Sequence, residues 1–264
     1  MLKKMKTSRG TLVEIINCGN FLLDGGSMFG RVPRAMWEKW FPPDEMNRIV
    51  MATNVLRIGG DEGTILVDAG LGTAYQRKDR AILGLTETHG NPVIHPVDTL
   101  VCTHLHFDHV GGIQDITLRK EVVSSKAEWE DAQVNHPLIR GSYRKMDLER
   151  MAGRLRLVDS PFSLSGSIQL IPTPGHTRGH LSVLIDDEIF YPGDLIPTSA
   201  HVHLPCIMSY DLYPLQVIET KREILHEAVK CGWKMVFEHD PYRPVCTVGM
   251  KNRNFIPLTV SSPG

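Results

Sequence analysis

Apolar residues in this chain recur in short runs separated by Gly, Pro, Asn and Asp, a pattern of many brief strands with a few helices between them. Residues 12–16 and 21–23 read as strands, and Pro33 opens a helix through 35–41 that Pro42-Pro43 ends. Residues 54–58 and 64–67 flank Gly59-Gly60-Asp61-Glu62-Gly63 as the arms of a hairpin. Further strands are predicted at 96–102, 121–123, 155–158, 167–171, 181–185, 188–191 and 234–237. Ser125, with Glu128 three residues on, reads as a capping box for a helix over 126–134. A long helix over 212–230 has Asp211 as its expected N-cap and Pro214 in its first turn. Its apolar stripe is Leu215, Ile218, Leu225, Ala228 and Val229, and Gly232 stands past its end. Strands interleaved with helices, some joined as hairpins, predict an α/β (α+β) fold of mixed sheets with helices outside.

Three stretches carry less signal. Residues 71–95 are polar, with a short helix near 80–85 and two histidines, His89 and His95, expected at the surface. Residues 136–153 are polar and basic and read as a lid. Residues 24–43 are unusually apolar; Trp37, Trp40 and Phe41 suit core packing, whereas Met28 and Phe29 are candidates for a pocket wall.

Composition narrows the function classes. At 264 residues and 42% hydrophobic, the chain can bury one core, so one domain over 1–264 is expected. Its 29 basic and 30 acidic residues form no long run of one sign, which argues against nucleic acid as a partner. No stretch has the length and apolarity of a membrane span, and the basic N-terminus lacks a secretory apolar core. Five scattered cysteines without a Cys-x-x-Cys pair suit reduced thiols in a cytoplasmic protein.

The chemistry concentrates in Thr103-His104-Leu105-His106-Phe107-Asp108-His109-Val110-Gly111-Gly112, just after a predicted strand. Three imidazoles and a carboxylate in six residues are the ligand types that suit zinc and neighbouring transition metals. Further ligand-type residues follow at other strand ends. His176 stands in the turn Pro174-Gly175-His176-Thr177-Arg178-Gly179-His180, Asp194 in Pro192-Gly193-Asp194, and His239 after residues 234–237. His176 is the expected fourth nitrogen ligand, and His180 is expected to hold the loop by hydrogen bonding. Asp68, at a strand end in Asp68-Ala69-Gly70, suits either turn chemistry or the orientation of a ligand histidine.

Taken in order, Asp68-Ala69-Gly70, the Thr103–Gly112 string, Pro174 to His180, Gly193-Asp194 and Glu238-His239-Asp240 resemble the metallo-β-lactamase superfamily across nearly the whole chain. The resemblance implies an αββα sandwich with a two-metal site at one edge. It assigns His104, His106 and His176 to one metal and Asp108, His109 and His239 to the other, with Asp194 bridging. Histidine at 109, where the best-known β-lactamases have arginine, is similar to the lactonase, glyoxalase and phosphodiesterase branches. Residues 26–33, with tryptophan and Pro-Pro-Asp-Glu downstream, look like the branch of N-acyl homoserine lactonases and organophosphate-hydrolysing relatives. Pro197 stands where typical lactonases of that branch carry a tyrosine against the substrate carbonyl.

The function implied is a dinuclear metal-dependent hydrolase in which a hydroxide shared by two divalent ions attacks a small ester or lactone. Zinc is the expected metal, with iron and manganese as alternatives. Asp108 is the expected proton carrier to the leaving group. Phosphoester or phosphotriester hydrolysis and a glyoxalase II-like thioesterase are the alternative hydrolytic readings, and a di-iron redox protein is the alternative outside hydrolysis. His201 and His203 follow the Asp194 loop as bystanders or substrate contacts. A small-molecule substrate is the expected partner, with a homodimer as an open possibility.

Overall fold

Strands covered on both faces need apolar side chains at consecutive positions, and Leu66-Val67, Leu100-Val101 and Val122-Val123 supply them, all buried. The computed structural model describes residues 2–60, 63–85, 96–159 and 161–260; the expectations for Asp61, Glu62, His89 and His95 fall outside these residues.

Among the described residues, one sheet holds β1 (Leu2–Lys6), β2 (Leu12–Asp24), β3 (Arg48–Gly60), β4 (Gly63–Val67), β5 (Val97–Val101), β6 (Leu118–Ser125) and β7 (Leu155–Val158) in that spatial order. Pairing is antiparallel from β1 to β4 and parallel from β4 to β7. The second sheet runs from β8 (Phe162–Ser163) through β9 (Ile168–Pro172), β10 (Leu181–Ile185), β11 (Ile189–Tyr191), β12 (Lys234–Val236) and β13 (Val245–Lys251) to β14 (Asn254–Leu258). Only β11 and β12 pair in parallel there.

The two sheets face each other through Val67, Val101 and Val123 on one side and Leu170, Val183 and Tyr191 on the other. Each such side chain contributes about 1.5–3 kcal/mol when fully buried. Leu66, Leu100 and Val122, one residue out of phase, face away and meet Leu148 and Met151 of α1 (Lys145–Ala152), so the expected lid segment contains a packed helix. On the far face of the second sheet, Val217, Leu225 and Ala228 of α2 (Pro214–Cys231) close the outer layer. The result is two mixed sheets between helices, as expected.

Several local expectations are corrected. Residues 12–16 and 21–23 belong to the single strand β2; its register shifts between Asn17 and Asn20, where the Asn17 side chain accepts the Gly19 N–H at 2.9 Å. The helix over 35–41 shortens to Arg34–Trp37. The helix near 80–85 lies at Arg77–Ile82. The helix over 126–134 covers Lys126–Ala132 with Ser125 as N-cap. Glu128 donates its N–H to Ser125 but turns its carboxylate into the interior. Asp211 does not cap α2, whose first residue follows Tyr213; its carboxylate is spent elsewhere. Leu215 is 79% exposed, while Lys221 on the same helix is buried. Gly232 ends α2 in the left-handed region at φ 69°.

Candidate metal centre

Parallel pairing of β4 with β5 and of β11 with β12 brings Asp68 beside the Thr103–Gly112 loop, and Asp194 beside His239. The turn from β9 to β10 carries His176 and is tied to the loop by the Leu181 N–H donating to the Thr103 carbonyl at 2.8 Å. Asp108 and His109 lie in a short helix, Phe107–Val110, whose start follows His106. All seven expected ligands converge. His104, His106 and His176 form one group of facing donor atoms; Asp108, His109 and His239 form another.

Asp194 stands between them. Its Oδ2 lies 3.3 Å from His176 Nε2 and 4.0 Å from His104 Nε2, and its Oδ1 lies 3.4 Å from His109 Nε2 and 3.2 Å from His239 Nε2. Between histidines, His176 Nε2 is 3.1 Å from His106 Nδ1 and His239 Nε2 is 3.2 Å from His109 Nε2. Asp108 Oδ2 lies 3.7 Å from His239 Nε2. Ligands about 2.0–2.1 Å from a tetrahedral zinc stand roughly 3.4 Å from one another, a spacing that most of these separations would fit.

The outward-facing nitrogens are held in turn. His109 Nδ1 lies 3.0 Å from Asp68 Oδ2 and 2.7 Å from Glu238 Oε2; His176 Nδ1 lies 2.9 Å from Asp211 Oδ1. His239 Nδ1 lies 2.8 Å from the Ala52 carbonyl, and His104 Nδ1 lies 3.1 Å from the Thr103 hydroxyl. Such partners select the tautomer that presents the other nitrogen to a metal. His180 accepts the Asp194 N–H at Nε2 (3.0 Å) and meets the Thr173 hydroxyl at Nδ1 (2.8 Å), the loop-holding role expected of it. Gly193, at φ +54°, lies so near that an added Cβ would fall 2.8 Å from His180 Nε2.

The charges fit a cation. Burial, reinforced by neighbouring imidazoles, holds His104 and His106 well below the usual histidine range, in the neutral form that binds metal. Burial also disfavours charge on His109 and His239, yet the carboxylates around them outweigh it, lifting His239 to about 9. Burial likewise opposes ionisation of Asp194, but His109, His239 and His176 hold its carboxyl well below the usual range. His104 Nε2 and Asp194 Oδ1 are buried without a hydrogen-bond partner. Orphaned polar atoms of this kind call for a ligand between them, and the nitrogen and oxygen donor set suits a divalent ion.

A family model described as the metallo-beta-lactamase superfamily matches residues 48–239. The chain belongs to that superfamily. Among curated relatives it is 31% identical over 153 residues to a beta-lactamase-like protein 2 homolog of Caenorhabditis elegans, covering 56% of this chain and 45% of that one. It is 27% identical over 146 residues to an N-acyl homoserine lactonase of Bacillus cereus, covering 48% and 56%. These matches span roughly half of the relatives' lengths. Two solved structures share the metallo-β-lactamase fold. A probable metal-dependent hydrolase from Staphylococcus aureus superposes with a TM-score of 0.86 at 23% identity, covering 96% of this chain and 98% of that one. The dizinc quorum-quenching lactonase AidC, in complex with a product, gives 0.76 at 18% identity, covering 100% and 98%.

In this member of the superfamily the metal-type groups open into a cleft of about 110 Å³, walled by Leu23, Met28, Phe107 and Met208, with the hydroxyl residues Ser142 and Tyr210. Met28 therefore faces the cleft. Phe29 does not: it is buried, stacked on Trp37 and His201 at centroid distances of 5.6 and 4.9 Å. His201 is buried too, bridging the Thr198 hydroxyl (2.7 Å) and the Met28 carbonyl (2.8 Å), so it positions the cleft wall. His203 stacks on Trp40 and lines a separate surface cavity. Pro197 offers its carbonyl to the His239 N–H at 3.0 Å.

Three supporting residues escaped the sequence reading. The buried Glu128 carboxylate accepts the Leu105 N–H (3.0 Å) and the hydroxyls of Tyr143 (3.0 Å) and Thr177 (2.5 Å), clamping the His104–His109 loop to the His176 turn. Asp211 and Glu238 each reach a ligand histidine. Only the adjacency of Glu238 to His239 could have drawn attention to it; Asp211 and Glu128 read as helix caps.

Proposed function

We propose that this chain is a dinuclear metal-dependent hydrolase of small, uncharged esters or lactones. The carrying observation is the position of Asp194, one carboxylate oxygen turned to His104 and His176 and the other to His109 and His239. In this reading His104, His106 and His176 hold one ion, Asp108, His109 and His239 hold the other, and Asp194 spans both. Zinc is the proposed metal. Two divalent ions there would lower the pKa of a shared water toward neutrality and polarise a carbonyl or phosphoryl oxygen.

The residues supply the rest. Asp108, lining the cleft within reach of His239, is the proposed carrier of a proton to the leaving oxygen. Leu23, Met28, Phe107 and Met208 exclude water and take an apolar substituent. Among the described residues, no Lys or Arg lines the cleft, so a phosphate mono- or diester would find no side-chain cation there to match its charge. That contrast favours a neutral substrate. All five cysteines are free, which suits the proposed cytoplasmic location. No helix among the described residues is long and apolar enough to cross a membrane.

The test is elemental analysis of chain grown in supplemented medium, with hydrolysis rates for lactones, aryl esters, phosphotriesters and phosphodiesters. About two ions per chain and a preference for neutral carboxylic esters or lactones are expected. One ion or none, or fastest hydrolysis of a phosphodiester, would overturn the reading.

A further inference from the structure

The helix α2 carries an ammonium group into the interior. Lys221 is fully buried, and among the described residues no carboxylate pairs with it. Its Nζ donates instead to two main-chain oxygens, the Cys206 carbonyl at 2.5 Å and the His203 carbonyl at 3.4 Å. Burial outweighs the help that Cys206 and Asp211 give its charge, so the group is held at a cost in stability. A methionine of similar volume would remove that cost.

The two oxygens belong to one turn, closed by the Cys206 N–H donating to the His203 carbonyl at 3.0 Å. From this turn the chain runs straight to the metal centre. The Ile207 carbonyl packs so closely on Gly30 that a Cβ added there would fall 2.6 Å from it, the Ser209 N–H donates to the Ser27 carbonyl at 2.8 Å, and Met208 joins the cleft wall. Asp211 follows, with Oδ1 2.9 Å from His176 Nδ1. The same helix also holds the turn that carries His176. The Thr220 hydroxyl donates to the Pro174 carbonyl at 2.9 Å, and Gly175, at φ +144°, lies so near that an added Cβ would fall 2.7 Å from the Val217 nitrogen. Adjacent residues of α2 thus fix the two partners separately, Thr220 the turn of His176 and Lys221 the segment of Asp211.

We infer that Lys221 is a positioning residue of the metal centre: by pinning the His203–Cys206 turn to α2 it sets where Asp211 meets His176, and it does so despite destabilising the fold. The inference rests on the reading of His176 as a metal ligand. A ligand histidine held in place before the ion arrives loses less freedom on binding, and affinity rises accordingly. Lys221 is not among the residues lining the cleft, so its effect reaches the site through the segment from Cys206 to Asp211. A residue kept for packing alone would stabilise the chain, whereas this one trades stability for the geometry of a ligand.

The experiment compares full-length wild type, Lys221→Met, Asp211→Asn and the double variant, with zinc as the probe. Zinc affinity is read by competition against a chromogenic chelator, and the melting temperature of the metal-stripped chain is read at pH 7. Lys221→Met is expected to bind one zinc about 5- to 20-fold more weakly while its metal-stripped form melts no lower than wild type. In the Asp211→Asn background the same change is expected to weaken zinc binding by less than about twofold, because the path it acts through is already cut. Zinc affinity of Lys221→Met within about twofold of wild type, a metal-stripped form that melts well below wild type, or equal losses with and without Asp211 overturns the role of Lys221. A wild type that binds no zinc would instead overturn the reading of His176 beneath it.

Discussion

Asp211 divides its carboxylate between a proposed ligand and the cleft wall: Oδ1 lies 2.9 Å from His176 Nδ1, and Oδ2 accepts the Met208 N–H at 2.8 Å. Asp211→Asn should therefore weaken metal binding by about 10- to 100-fold. Competition against a chromogenic chelator measures it, and an affinity equal to wild type would remove Asp211 from the list of orienting residues.

Glu128 is buried among three donors that have no water to turn to. Burial pushes its carboxyl up, while the hydrogen bonds from Thr177, Leu105 and Tyr143 oppose that rise. Glu128→Ala strands the donors and should cost about 3–5 kcal/mol in urea unfolding. Glu128→Gln keeps acceptor capacity and should cost less; equal losses would mean the charge, not the hydrogen bonding, sustains the clamp.

His106 presents Nδ1 to His176 across 3.1 Å. His106→Ala should abolish hydrolysis and lower the metal content toward one per chain. Residual activity within about tenfold of wild type would contradict its place among the ligands.

Lys221 supplies the pH dependence. Burial lowers its ammonium to about 8, though its Nζ donates to the carbonyl of Cys206 at 2.5 Å and reaches that of His203 at 3.4 Å. Between about pH 8 and 10.5 the unfolded chain binds this proton more readily than the folded one, so stability rises with pH in that window and is lost as pH falls through 8. Relative to Lys221→Met, wild type should gain roughly 2–3 kcal/mol from pH 7 to 10. A difference flat with pH would show that the burial imposes no cost on the charge.

What could be read from the sequence was local. His104, His106, Asp108 and His109 fall within one turn-sized string, and His176, Asp194 and His239 each follow or join strands, so their type and position carried the signal. Their supports were hidden because each is a long-range partner. Asp211 meets His176 across 35 positions and Glu128 meets Thr177 across 49, whereas Asp68, which meets His109 across 41, stood out at its strand end. Glu128 and Asp211 also sit where a helix cap would, and tertiary demand for their carboxylates overrode the local role. The split of residues 12–23 into two strands failed for the opposite reason, since Asn17 and Gly19 interrupt the apolar pattern without breaking the strand.

The two sheets contribute equal halves of each ion's proposed surroundings. His104 and His106 come from the first sheet's loops and His176 from the second's; Asp108 and His109 come from the first and His239 from the second, with Asp194 also from the second. Metal ions held there would act as rivets through a laminate, gripping both layers at one edge. Tight loading would then report that the layers have closed on each other, so a chain with one sheet formed would hold its metal weakly and exchange it fast.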